Sequence, residues 1–147
     1  MSDCIERNIE ISAPVARVWR ALVNFREFGA WFGVSLESEF APGETARGRI
    51  THPGFENIEW KVVVRAIEPQ SLFSFTWHPY AVDPGVDYSA ETPTLVEFRL
   101  EAIASGTRLV VTESGFDQVP ASRRDEAYSR HEGGWTQQMK NIERYLA

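Results

Sequence analysis

Cysteine occurs once and histidine three times in 147 residues, so the two commonest means of stapling a chain or holding a metal are nearly missing. A single Cys4 excludes an internal disulfide, and with no cue for thiolate activation beside it the residue is read as packing. His52, His78 and His131 are too far apart for ligand spacings such as CxxC or HxxxH, so no metal or other cofactor is expected. The stretch HEGGW at 131–135 begins like the metalloprotease motif HExxH, but Trp135 stands where the second ligand belongs. Basic charge is also short: 15 Lys and Arg against 21 Asp and Glu leave a formal net charge of −6. A nucleic-acid binder needs the opposite balance or a basic stripe, so no nucleic-acid partner is expected. Long apolar runs are lacking too. No aliphatic run exceeds three residues, as in Val62 to Val64, and Asp3, Glu6 and Arg7 occupy the stretch where a signal peptide would be apolar. No membrane insertion and a cytoplasmic location follow as expectations. No GxSxG, GxGxxG or GxxxxGK[ST] occurs, which leaves a nucleophile elbow, a dinucleotide fold and a phosphate loop without support.

What remains is an ordinary globular composition, 43% hydrophobic, 12% aromatic and 24% charged, at the size of one domain spanning residues 1–147. Ile5, Arg7, Ile9 and Ile11 alternate with Glu6, Asn8 and Glu10, the period of a strand. Ser12 offers an N-cap and Pro14 a first turn to a short helix carrying Val15, Val18, Trp19 and Leu22 at helical spacing. Phe25, Phe28, Trp31 and Phe32 predict a second helix stopped by Gly33. Turn signals at Pro42–Gly43, Pro53–Gly54, Glu68–Pro69, Asp83–Pro84–Gly85 and Ser105–Gly106 then punctuate an antiparallel meander. Strands are predicted near 34–40, 45–52, 58–67, 71–78, 94–103 and 107–115, seven in all with the first. Phe73, Phe75 and Trp77 share one strand face, and Val96, Phe98 and Leu100 another.

Such an apolar sheet face needs a cover. Tyr128, Trp135, Met139, Ile142 and Leu146 recur at helical spacing, so a long terminal helix over 121–146 is predicted to lie across the sheet. Pro120, with Ser122 and Asp125 as a capping box, marks its start. Gly133 and Gly134 in its middle each cost about 1 kcal/mol relative to Ala, which predicts a close backbone approach or a bend there. The fold class is α+β: a curved antiparallel sheet, two short helices after the first strand, and one long C-terminal helix across the concave face.

That order of elements resembles the helix-grip fold of the START-like, or SRPBCC, superfamily, and in particular the branch named for the activator of the heat-shock chaperone ATPase. The residues that carry the likeness run through the chain: Ala13–Pro14, Val18–Trp19, Ala21–Leu22, Trp31–Phe32, Pro69 with Leu72, Phe75 and Trp77, Thr107, Leu109, Glu113 to Phe116, Gly134–Trp135 and Tyr145–Leu146. The resemblance implies a cavity between sheet and long helix that takes an apolar small molecule. Trp60, Phe73, Phe75, Trp77, Phe98, Trp135 and Met139 are its candidate lining, with Trp31 and Phe32 at one lip. The 79–93 loop, bearing Tyr80, Val82 and Tyr88 and preceded by His78, is the candidate entrance.

Glu113 shares its strand face with Leu109 and Val111, so its carboxylate points toward the helix and needs a partner such as His131 or Arg130. It is a structural tie, a polar anchor for ligand, or half of an acid–base pair with His131. The leading expectation is a small-molecule binding domain for an apolar or amphipathic ligand. The alternatives are a cavity enzyme of cyclase, aromatase or hydrolase type using Glu113 and His131, and a partner-binding protein that contacts a chaperone or forms a homodimer.

Overall fold

A computed structural model describes residues 3–83 and 85–147; Pro84, the centre of one turn signal, lies outside the described residues. The elements are β1 (Cys4–Ile11), α1 (Val15–Val23), α2 (Phe25–Phe32), β2 (Val34–Leu36), β3 (Thr45–Ile50), β4 (Glu59–Glu68), β5 (Leu72–Trp77), β6 (Thr94–Ile103) and β7 (Gly106–Ser114). A single 3-10 turn (Phe116–Gln118) then leads into α3 (Ala121–Tyr145). The strands form one antiparallel sheet in the order β1-β7-β6-β5-β4-β3-β2, so the first strand closes against the last of the meander. This is the α+β helix-grip arrangement. β4 slips register between Val64 and Ala66, a bulge of the kind that bends a sheet.

Local chemistry accounts for the helix ends, though not always by the expected residue. The side chain of Asn24 accepts from the backbone N–H groups of Arg26 and Glu27, both at 3.1 Å, and so caps α2. Gly33 ends α2 at φ 94, a left-handed turn that an L side chain resists, and throws the chain straight into β2. Neither Ser12 nor the Ser122–Asp125 box caps a helix. Pro14 and Pro120 hold the N-cap positions of α1 and α3 with no side-chain cap, their fixed φ supplying the extended entry instead. Cys4, expected to pack, is exposed.

The inner sheet face carries Phe73, Phe75, Val96, Phe98, Leu109 and Val111, all at most 1% exposed. Phe28 of α2 meets Phe73 edge-on, Phe73 stacks on Phe98, and Trp31 meets Phe98 edge-on. The Trp31 indole donates to Ala21 O at 2.8 Å and locks α2 onto α1. α3 buries Ala127, Trp135, Met139 and Ile142 and is tied to β1 by Arg7, whose Nε donates to Thr136 Oγ1 at 3.0 Å. The helix runs through Gly133–Gly134 without interruption, and among the described residues nothing lies within 4 Å of a Cβ built at either. The close approach expected of this pair is therefore not what maintains it.

Candidate functional site

In β7, Glu113 pairs with Ile5 on one side and Val96 on the other, and Val96 in turn pairs with Phe75. Pairing places a carboxylate in an apolar row, where it has no exposed surface. Such a charge persists only where its oxygens are met by donors. Four groups meet it, in two pairs. Trp77 and Thr94, directly opposite each other on β5 and β6, both donate to Oε2, at 2.7 and 2.6 Å. His131 and Trp135, four apart on α3 and so on one helix face, both reach Oε1: the imidazole Nδ1 at 2.6 Å and the indole Nε1 at 2.9 Å. Burial pushes the Glu113 pKa up, but His131 through hydrogen bond and charge, then Thr94 and Trp77, outweigh it and hold the carboxyl below its ordinary value. One carboxylate thus joins three elements, and it fixes the orientation of three rings.

Two of those rings, Trp77 and His131, line an open cavity of about 570 Å³. Phe32, Trp60, Trp77 and His131 line it on the protein side, Ile50 and Ile58 at the β3–β4 end, and His78, Tyr80, Val82 and Tyr88 along the 79–93 loop. A smaller cavity of about 140 Å³ adjoins, between Phe32, Trp77, His131, Trp135, Gly134 and Gln138. In the wall, Trp60 Nε1 and His78 Nδ1 are buried without a hydrogen-bond partner among the described residues. Burial lowers the His78 pKa, so that ring is neutral at neutral pH.

The loop over the cavity is held by one arginine of α3. Arg123 donates to both oxygens of Glu91, to Pro79 O at 2.7 Å and to Tyr80 O at 3.3 Å, and lies over the Tyr88 ring at 4.8 Å. Arg130 sits over Tyr80, whose backbone is in the left-handed region at φ 52.

Of the residues singled out from sequence, Phe32, Trp60, Trp77, His131 and Trp135 border one or both cavities. Glu113 lies directly behind them. Phe73, Phe75 and Phe98 are fully buried and packed on one another, Trp31 is turned to Ala21 and Met139 sits in the α3 interface, and none of these borders either cavity. Arg130 is used on Tyr80 rather than on Glu113. Two participants went unnoticed in the sequence: Thr94, which the Thr94–Val96–Phe98 alternation places on the inner face, and Arg123, for whose distant partner Glu91 no local pattern exists.

A seven-stranded antiparallel sheet gripping a long terminal helix, with an aromatic cavity at its open end, defines the START-like class, a fold family of ligand-binding domains. Within it, the family model described as Activator of Hsp90 ATPase homolog 1-like protein matches residues 12–147, and the chain belongs to that family. Among solved structures it is similar to protein MLL2253 from Mesorhizobium loti, at 28% identity and a TM-score of 0.75, covering 97% of this chain and 96% of that one. A protein from Arthrobacter aurescens shares the fold at 20% identity and a TM-score of 0.80, covering 98% and 86%. DynU16, from the dynemicin biosynthetic locus, does so at 24% identity and 0.76, covering 99% of this chain and 48% of that one. A comparison with curated proteins gives no match. Among the described residues no helix is long and apolar enough to cross a membrane.

Proposed function

We propose that the chain is a cytoplasmic small-molecule binding domain whose apolar or amphipathic ligand lies in the aromatic cavity beneath the 79–93 loop. The observation that carries this is the cavity itself. Its volume of about 570 Å³ falls within the roughly 300–1,000 Å³ of small-molecule sites, and its wall combines aromatic faces with polar and charged side chains, among them Asn57, Glu59, Lys61, Asp83 and Asp87, as an amphipathic ligand requires. The fixed Trp77 and His131 rings give that wall a defined shape before anything binds, which reduces the ordering cost of association. Native mass spectrometry of protein purified from its own cell extract, followed by identification of what denaturation releases, tests the proposal. A stoichiometric apolar passenger is the expected result. An empty protein that also gains no thermal stability across a panel of lipids and aromatic metabolites would sink it.

A second reading, a cavity enzyme, is favoured by one observation: His131 is held by a carboxylate on one nitrogen and borders the cavity. That is the arrangement of an oriented acid–base pair. Chemical conversion of the captured molecule on incubation with the protein would distinguish turnover from storage or transport.

A further inference from the structure

We infer that the ligand has two parts: a polar part held at the mixed wall of the larger cavity, and a flat apolar group about one ring in size seated in the smaller cavity, which Gly134 keeps open. The assignment rests on the binding role proposed above. His131, Gly134, Trp135 and Gln138 all border the smaller cavity, and their spacing of three, four and seven puts them on one face of α3. Gly133 lies about 200° around the helix from His131, on the opposite side. A helix interior disfavours glycine, and among the described residues nothing within 4 Å would obstruct a Cβ at 134. Packing within the chain therefore does not ask for a missing side chain there, whereas an occupant of the adjoining space does. Helical side chains lean toward the N-terminal end, so a long one at 134 would lie over the turn that carries His131 and take up that space.

The two spaces differ in chemistry. At the smaller one, the indole N–H groups of Trp77 and Trp135 are directed to Glu113, and the Gln138 side chain donates to Phe32 O at 2.9 Å and accepts from Asn141 at 3.0 Å. Ring surface is what these side chains leave for a ligand: Trp77 stacks on Trp135 at 5.8 Å, and Phe32 lies 6.2 Å from each. The volume of about 140 Å³ is close to that of an apolar cavity, roughly 150 Å³, that takes benzene. The larger cavity mixes aromatic rings with Asn57, Glu59, Lys61, Asp83, Asp87 and Ser89, so it meets a polar group while covering an apolar body. Phe32, Trp77 and His131 border both spaces, which lets one molecule span them.

Isothermal titration calorimetry of the intact chain with benzamide and 4-phenylbenzamide, which share a neutral polar end and differ by one ring, tests this. The second ring should tighten binding to the unmodified protein by about tenfold or more. In Gly134→Leu, whose side chain fills the smaller cavity, that advantage disappears while benzamide keeps its Kd. Gly133→Leu, the same substitution on the opposite side of the helix, leaves both affinities unchanged. Undiminished binding of 4-phenylbenzamide to Gly134→Leu overturns the inference and leaves the larger cavity as the whole site. An equal loss of both amides in Gly134→Leu overturns it too, since Gly134 would then maintain the shape of the site rather than admit a group. Binding of neither amide to the unmodified protein also overturns it, and the cell-extract experiment then decides the broader role. Should Gly134→Leu fail to fold, the nitrogen–proton NMR spectrum of the unmodified chain decides. The Gly134 amide and Trp135 indole signals should move with 4-phenylbenzamide and not with benzamide, and equal movement with both counts against the inference.

Discussion

A carboxylate without exposed surface is tolerated in this core because four donors from three elements converge on its two oxygens. Replacing it with the same-sized amide turns one acceptor edge into a donor edge that faces the donors of α3. Glu113→Gln is therefore expected to destabilise by about 3 kcal/mol at neutral pH, a fall in Tm on the order of 10 °C at this chain length. The pH dependence has a definite sign. The folded-state pKa of Glu113 lies below the unfolded value, so its stabilisation is fully present above about pH 5 and is lost as the pH falls through the lower folded value. The gap in Tm between the two proteins should narrow in acid; a gap that stays constant down to about pH 2 would show that Glu113 is not ionised in the fold. The inward direction of Glu113 was legible in the Leu109–Val111–Glu113 alternation, and so was His131 as a partner. That Trp77 and Thr94 share the carboxylate was not, because a cross-strand register is set by turn geometry and by the whole hydrophobic pattern rather than by any local signal.

Elements show the same division. Strand and helix positions followed from periodicity and from Gly and Pro punctuation, and β2 alone is much shorter than expected, ending at Leu36. The glycine pair in α3 was visible as an anomaly, but its consequence was not: with open space at both Cβ positions, the backbone there has freedom that packing does not need. Gly133→Ala should thus stabilise by about 1 kcal/mol, raising Tm by roughly 2–4 °C in a calorimetric melt; a loss of stability would reveal a constraint at Gly133 that the open space around it does not show. The latch on the 79–93 loop is the contrasting case. Arg123 and Glu91 are 32 residues apart in sequence and each 18% exposed, and their meeting depends on a loop path that no periodicity encodes. Removing the guanidinium frees the Pro79 and Tyr80 carbonyls, the Glu91 carboxylate and the Tyr88 ring together. Arg123→Ala should then raise hydrogen exchange at loop amides such as Val86 and Glu91 while β5 and β6 stay protected. Equal exchange in the two proteins would mean that the loop is held by other contacts.

At the scale of the whole molecule, the sheet is wider than the helices laid on it. α1 packs against β6 and β7, α2 runs beside β2 and sends Phe28 and Trp31 to Phe73 and Phe98, and α3 packs against β1 and α2. The aromatics beneath them are consumed by packing: Phe73 meets Phe28 and Phe40, Phe98 meets Trp31, and Phe75 lies against Phe73 and Phe98. Trp60 is the second residue of β4 and Trp77 the last of β5, at the end of the sheet where the 79–93 loop supplies cover. The family resemblance implied one cavity lined by Trp60, Phe73, Phe75, Trp77 and Phe98 alike; which of them fill space and which enclose it depends on where the covering elements stop, and a single sequence does not carry that length relation. The division is open to a spectroscopic test. Trp60 and Trp77 line the larger cavity, Trp135 borders the smaller one, and Trp31 is turned away toward Ala21. A ligand held there at about a hundred times its Kd stabilises the fold by about 2.7 kcal/mol and, in the same titration, changes indole emission. Trp60→Phe keeps an aromatic wall but removes one reporter, so the emission change should shrink while the thermal shift largely persists. An unchanged emission response in that variant would place the ligand somewhere other than beneath the 79–93 loop.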